Sequence, residues 1–384
     1  MNSTLSQKQL EMKRSIAEFI DSEYDQTERR KIIASADGFN SAHWHRMSEL
    51  GWFKIPFNVS DGGSGGSALD IMILMQELGK GLVIEPILAS QILSGRLITE
   101  TCSEPTKDHL LPQIMSGELT YASGLYEPLG RYDLSYVSTR ADPRRTGFSL
   151  TGRKCVVLNG GNADKLLISA RTGGAENSKG GISLFLLDPG IEGLNIHKYK
   201  NIDGHCAAEV ILDGVFVERR ANIGELGEVL PNVQAAVDSA TLALCAEAIG
   251  AMGELNKRTL EHLKTRTQFG VPLGSFQSLQ HRMADMLIDY EQAKSAMLYA
   301  VVMSDENNGI APKEISAAKY RVGVAARKIA QEAIQLHGAS GVTDELIISH
   351  YFKRLTTIEA QFGNNDFHLN RFIELSRDEE DSGL

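Results

Sequence analysis

The sequence predicts an α+β chain built in three segments: helical, then β, then helical again. Three observations carry this. Residues 5 to about 118 space their apolar positions at helical intervals. From Leu119 the texture changes to short apolar runs divided by Gly, Asn and Asp. From about Pro231 long helical patterns return. The expected segments are 1–118 (all α), 119–228 (a β-barrel or sandwich) and 229–384 (a helical bundle).

The first helix opens at a serine in "SQKQLEMKRSIAEFIDSEY", with Leu10, Met12, Ile16, Phe19 and Ile20 on one stripe. "SAHWHRMSELGW" ends a second helix at Gly51. "NVSDGGSGGSALDIMILMQELGKG" runs a glycine-rich turn into a third, which should stop at Gly79 and Gly81. That turn lacks the G-x-x-x-x-G-K-[ST] order of a phosphate loop and reads as a plain loop. "YASGLYEP", "GFSLTGRKCVVLNGG", "KLLISART", "GISLFLLD" and "AAEVILDGVFV" read as strands. The last segment should hold helices at 232–265, 275–305, 312–338 and 344 to about 375, with an acidic, frayed tail.

Hydrophobic residues make up 42 % of the 384, enough for a sizeable core. The net charge of −10 argues against nucleic-acid binding, so an anionic ligand would need a local basic cluster. Cys102, Cys155, Cys206 and Cys245 show neither C-x-x-C nor metal spacing and read as buried reduced thiols; no metal site is expected. The start has no apolar h-region, and "VQAAVDSATLALCAEAIGAM" contains Asp238 and Glu247, which marks a buried core helix and not a membrane span. A cytoplasmic location is the expectation.

The strings "RTQFGVPLGSFQSLQHRMADM", "QLHGASGV", "YEPLGRYD" and "LTGRKCVVLNGGNADKLLISART" together resemble the acyl-CoA dehydrogenase family over nearly the whole chain. "RTQFGVPLGSFQSLQHRMADM" is similar to its R-x-x-F-G…F-Q-x-x-Q segment, "QLHGASGV" to its Q-x-x-G-G-x-G turn, and "YEPLGRYD" to T-E-P-x-x-G-S-D. "LTGRKCVVLNGGNADKLLISART" matches its middle-domain strand pair. More narrowly, "CAEAIGAM" and "HYFKRLTTIEAQFGNNDFHL" resemble the pimeloyl-CoA dehydrogenase small-subunit group, related to halves of heteromeric enzymes acting on steroid side chains.

The resemblance implies FAD, an acyl-CoA substrate, and an electron-transferring flavoprotein as acceptor. It assigns cofactor roles to Arg266, Gln268, Phe269, Gln277, Gln335, Gly338 and Gly341, where a guanidinium suits a diphosphate and glycine permits close backbone approach. On its own, Arg266 reads first as a cation at a helix C-terminus, and Gln268, Phe269 and Gly270 after it turn the reading to the cofactor. Near the flavin ring the family's hydroxyl residues are replaced by Tyr126 and Tyr132, and its Gly by Arg131. Ala339 replaces the second of its paired glycines.

The chemistry needs a carboxylate to take an α-proton of the thioester. The family's two positions for it fall on Gly363 and Ala240, and neither is a carboxylate. Glu247, seven residues past Ala240, lies on nearly the same helix face but about 10 Å along the axis. It reads as a relocated base or as a paired glutamate of the bundle. Asp366 reads as a weak second candidate or as a helix N-cap, and His337, His350 and His368 as packing residues. Three functions follow: one subunit of a heteromeric (α2β2) dehydrogenase whose partner supplies the base; a homomeric enzyme with Glu247 as base; or a flavin-free scaffold.

Overall fold

The computed structural model describes residues 5–306 and 310–382. It divides into two compact units: one of residues up to Arg30, Ala68–Val83 and Thr241 onward, the other of Lys31–Ser67 and Ile84–Ala240.

The helical N-terminal region contains α1 (Gln7–Glu23), α2 (Gln26–Ala34), α3 (Ser41–Glu49), α4 (Ala68–Gly81), α5 (Gly95–Thr101) and α6 (Glu104–Met115). Ser6 caps α1 in a reciprocal capping box with Gln9, which satisfies two otherwise orphaned backbone N–H groups. Gly51 follows α3 with φ +79°. Gly79 does not stop α4. A Cβ on it would lie 2.1 Å from the Glu247 carbonyl oxygen, and one on Gly250 would lie 1.9 Å from that of Gln76. The two glycines let α4 and α7 (Leu230–Thr265) cross backbone to backbone. A buried π-helical stretch, Leu88–Ser94, was not foreseen by spacing.

The middle region is one eight-stranded sheet in the order β6-β7-β3-β2-β4-β5-β8, with β1 paired to β4. Its strands are β1 (Tyr121–Gly124), β2 (Arg140–Arg144), β3 (Gly147–Leu158), β4 (Lys165–Arg171), β5 (Ile182–Leu187), β6 (Leu194–Lys200), β7 (Cys206–Glu218) and β8 (Asn222–Ile223). The ladders are antiparallel except β1–β4 and β2–β4. The core is aliphatic with Phe185: Leu150, Val157, Ile168 and Val210 are fully buried.

The last region continues from α7 through the β9–β10 hairpin (Thr267–Gln268, Val271–Pro272) to α8 (Gln277–Glu306), α9 (Pro312–His337), α10 (Ile347–Ala360) and α11 (Asn365–Ser382). α9 is the hub, packing on α8, α10 and α11. The single helix expected from 344 to about 375 is two, because the chain turns at 361–364, where Phe362 and Gly363 take φ +60° and +126°. The acidic tail expected to fray is helical to Ser382; the final two residues lie outside the described ones. α7 is the one described helix long and apolar enough to cross a membrane, and 89 % of its apolar window is buried inside the protein.

Candidate active site

α7 ends at Thr265, and Arg266 opens the hairpin, its carbonyl accepting from Leu273 N at 2.8 Å. Val271 pairs with Gln268, so Phe269 and Gly270 form the two-residue turn, at φ +55° and +82°. Both positive angles are what such a turn demands; glycine takes them freely and phenylalanine under strain. Phe269 is nevertheless 90 % exposed, touching Phe276 edge-on at 6.1 Å. Arg266, Gln268 and Gln277, the first residue of α8, are exposed as well. A strained, uncovered aromatic beside an uncovered guanidinium is a surface made to be covered.

The turn after α9 stands next to this hairpin. His337 stacks on His262 of the last turn of α7, ring centres 4.3 Å apart, which draws Arg266 and the 335–341 segment together. Burial pulls both imidazoles below their ordinary range. Gly338 takes φ +64°, ψ −144°, a glycine conformation, and a Cβ on it would meet nothing. Gly341 is buried with the Ile334 carbonyl oxygen 2.9 Å from where a Cβ would sit. Gln335 and Ala339 are exposed.

Tyr126 and Tyr132, both half-buried, stand on the loop between β1 and β2. The loop is pinned by a residue that sequence reasoning passed over. Glu127 is buried and accepts from Lys154 Nζ at 2.7 Å, Ser138 N at 2.8 Å, Thr139 N at 3.0 Å and Ser138 Oγ. Lys154, fully buried, also donates to Ser169 Oγ at 3.0 Å. Burial pushes the Glu127 carboxyl up, but the Lys154 charge and these donors outweigh it and bring it down to about 2. Cys155 N donates to Tyr126 O at 2.9 Å, tying the loop to β3. Arg131, where the family has glycine, takes φ +49°. Val156, on β3, takes φ +51°. Among the described residues, five of the six non-glycine residues with positive φ are thus Arg131, Val156, Asn159, Phe269 and Phe362. All five lie in segments already singled out, as stored strain near a working site would.

Ala240 is fully buried on α7. Glu247 is buried and accepts from Arg354 Nε at 2.6 Å and Nη2 at 2.7 Å. Both carboxylate oxygens are taken by one guanidinium, which clasps α7 to α10.

At Gly363 the room for a side chain is filled. A Cβ there would lie 2.4 Å from Phe367 Cδ1 and 2.6 Å from His368 Nε2. Lys319 of α9, 1 % exposed, donates to the carbonyls of Gly363 at 2.8 Å and Glu359 at 3.0 Å. Burial pulls Lys319 down to about 8, against smaller opposing contributions from Cys245 and Glu359. His368 turns Nε2 to the Phe362 carbonyl at 3.3 Å, and burial, with Lys319 and Arg371 nearby, brings it down to about 3. The N-cap of α11 is Asn364, whose Oδ1 accepts from Phe367 N at 3.0 Å; Asp366 is exposed in the first turn. His350 is engaged at both ring nitrogens, by Arg29 at 2.8 Å and the Asp344 carbonyl at 3.0 Å.

Models of the acyl-CoA dehydrogenase N-terminal, middle and C-terminal domains match residues 6–118, 122–215 and 230–374. The chain is 28 % identical to the short-chain-specific acyl-CoA dehydrogenase of Clostridium acetobutylicum over 355 residues, 90 % of this chain and 92 % of that one. Two solved structures, each 25 % identical, superpose closely. One is PigA with FAD and proline, at a TM-score of 0.89 over 97 % of this chain and 98 % of that one. The other is a variant of the Tcur3481–Tcur3483 steroid acyl-CoA dehydrogenase, at 0.86 over 98 % and 99 %. With all three domain models matched in order, the chain belongs to the acyl-CoA dehydrogenase family, FAD-dependent oxidoreductases acting on CH–CH bonds.

Proposed function

We propose that this chain is the subunit of a heteromeric acyl-CoA dehydrogenase that lacks the catalytic carboxylate, its partner subunit supplying the base. The observation that carries this reading is the packing at Gly363. The position is not an empty place left by a lost glutamate; Phe367 and His368 fill it, and Lys319 fastens the turn around them. Glu247, held on both oxygens by Arg354, is read as a strut of the bundle.

The exposed residues of the bundle fit FAD. Arg266 offers a fork of N–H donors to a diphosphate, Gly338 an open backbone, and Phe269 an aromatic face with no cover from its own chain. FAD supplies the hydride acceptor; the protein supplies position and electrostatics. We assign Gln268, Gln277, Gln335 and Gly341 to the same cofactor surface, and Tyr126 and Tyr132 to the flavin side on the pinned 126–139 loop. Likeness to the steroid enzyme favours a bulky, steroid-type acyl thioester as substrate. An electron-transferring flavoprotein is the proposed acceptor and the cytoplasm the proposed location.

The test is a visible absorption spectrum of the chain purified alone and after co-expression with a candidate partner. Flavin that appears only with the partner, and is bleached anaerobically by an acyl-CoA, is the expected result. Flavin bound by the chain alone and bleached by acyl-CoA would mean a complete site here and would overturn the reading.

A further inference from the structure

A cavity of ≈ 860 Å³ in the first unit belongs to none of these segments. Its walls are α1, α4, the C-terminal half of α7, and α8. Five cations line it, Lys13, Lys80, Lys257, Arg258 and Lys294, against the carboxylates of Asp21, Glu77 and Glu254. Two of those carboxylates are each bracketed by two cations. Glu77 holds Lys80 at 2.7 Å with Lys13 at 3.8 Å. Glu254 holds Arg258 at 2.9 Å with Lys257 at 3.6 Å. Lys294 stands 5.7 Å from the centre of the Tyr290 ring and 3.7 Å from Glu291, which lies outside the lining. Ile20, Leu260, Met283 and Leu287 add apolar surface, Leu260 and Leu287 with much of theirs exposed.

On a chain of net charge −10, this is a local excess of positive charge over apolar and aromatic surface, at a volume typical of small-molecule sites. A fatty anion with one charged head would use one cation and want a deep apolar channel. Cations spread over four helices suit several phosphates, and the exposed Leu260 and Leu287 with half-buried Met283 suit a flat ring.

We propose that this cavity binds an adenine-nucleotide-type anion, its phosphates on Lys13, Lys257 and Lys294 and its base against Met283 and Leu287. The inference is independent of where the dehydrogenase base lies. The nucleotide is either free or the adenosine phosphate end of coenzyme A.

The experiment is calorimetric titration of ATP, and separately of coenzyme A, into the FAD-loaded assembled protein, so that the cofactor's own adenosine place is filled. Lys257→Glu and Lys294→Glu are the variants, since their side chains are 72 % and 44 % exposed and neither pairs with a buried carboxylate at hydrogen-bond distance. Saturable binding below about 1 mM that each variant weakens about tenfold, and that salt weakens steeply, is the expected result. Variant-sensitive binding of ATP marks a site for free nucleotides, and variant-sensitive binding of coenzyme A without ATP marks the thioester carrier as the source. No saturable binding of either, as when a partner subunit fills the cavity, overturns the proposal. So does binding that neither variant changes.

Discussion

Lys319 Nζ donates to the carbonyl oxygen of Gly363 across 2.8 Å, from inside the bundle, and among the described residues no carboxylate pairs with it. A buried ammonium satisfied only by carbonyls is costly, and here it holds the turn where the family's chemistry would stand. Lys319→Met removes two charge-assisted hydrogen bonds and leaves two carbonyls unpaired, while relieving the buried charge. We expect a net loss of about 2 kcal/mol in urea denaturation. The effect should localise to faster amide exchange around residues 359–364.

Restoring a glutamate by Gly363→Glu should not create a working base. The side chain collides with Phe367 and His368, and φ is +126°. Destabilisation of about 3 kcal/mol or more is expected, with no acyl-CoA-dependent flavin reduction by the chain alone. Flavin bleaching gained by this single change would refute the filled-site argument.

Glu247→Gln should act on stability and leave chemistry alone. It takes the charged Glu247 carboxylate from the buried Arg354 guanidinium, a loss of about 3 kcal/mol. Turnover of the assembled enzyme, measured per folded protein at low temperature, should match the parent. A thousandfold fall in kcat would instead identify Glu247 as the base.

Arg266→Gln should show the opposite split. The side chain is exposed, so the melting temperature of the flavin-free chain should hardly move. FAD retention by the assembled enzyme should fall by about tenfold to a hundredfold, because a bidentate charged contact to the diphosphate is lost. Equal retention by parent and variant would remove Arg266 from the cofactor surface.

Acid should expose the role of Glu127. Folding lowers its carboxyl from 4.5 to about 2. The stability it contributes is therefore complete above about pH 4.5 and is lost as the pH falls toward 2. In Glu127→Gln that segment of the stability curve should flatten, and at neutral pH the 127–139 loop should become sensitive to proteolysis. An unchanged acid limb would mean that the Lys154 pair carries no net stabilisation.

Much of the architecture was legible along the chain because it is set by neighbours in sequence. Helical spacing, the Ser6 cap, the glycine after α3 and the alternation of apolar runs with turn residues marked helices and strands directly. The family motifs were equally local: R-T-Q-F-G, Q-L-H-G-A-S-G and Y-E-P-L-G-R-Y-D are short strings whose residue types fit a diphosphate, a close backbone approach and a tight turn. Even the absence of a carboxylate at 363 and 240 could be read off. Spacing failed where a turn lacked strong punctuation. The 361–364 break has one glycine, and its preceding phenylalanine adopts a left-handed angle that no propensity favours.

The sequence alone determined the α–β–α order, the family likeness and the lack of a carboxylate at 363 and 240. The tertiary structure alone decided what packs around Gly363. Glu247 lies 107 residues from Arg354, Lys319 lies 44 from Gly363, and Glu127 lies 27 from Lys154. None of these pairs shares a helix turn or a strand neighbour. Periodicity reports which face of an element is buried, but which buried charge meets which partner depends on how separate elements pack. A glutamate that reads as a base from its position on α7 meets a guanidinium on both of its oxygens once α10 packs against it.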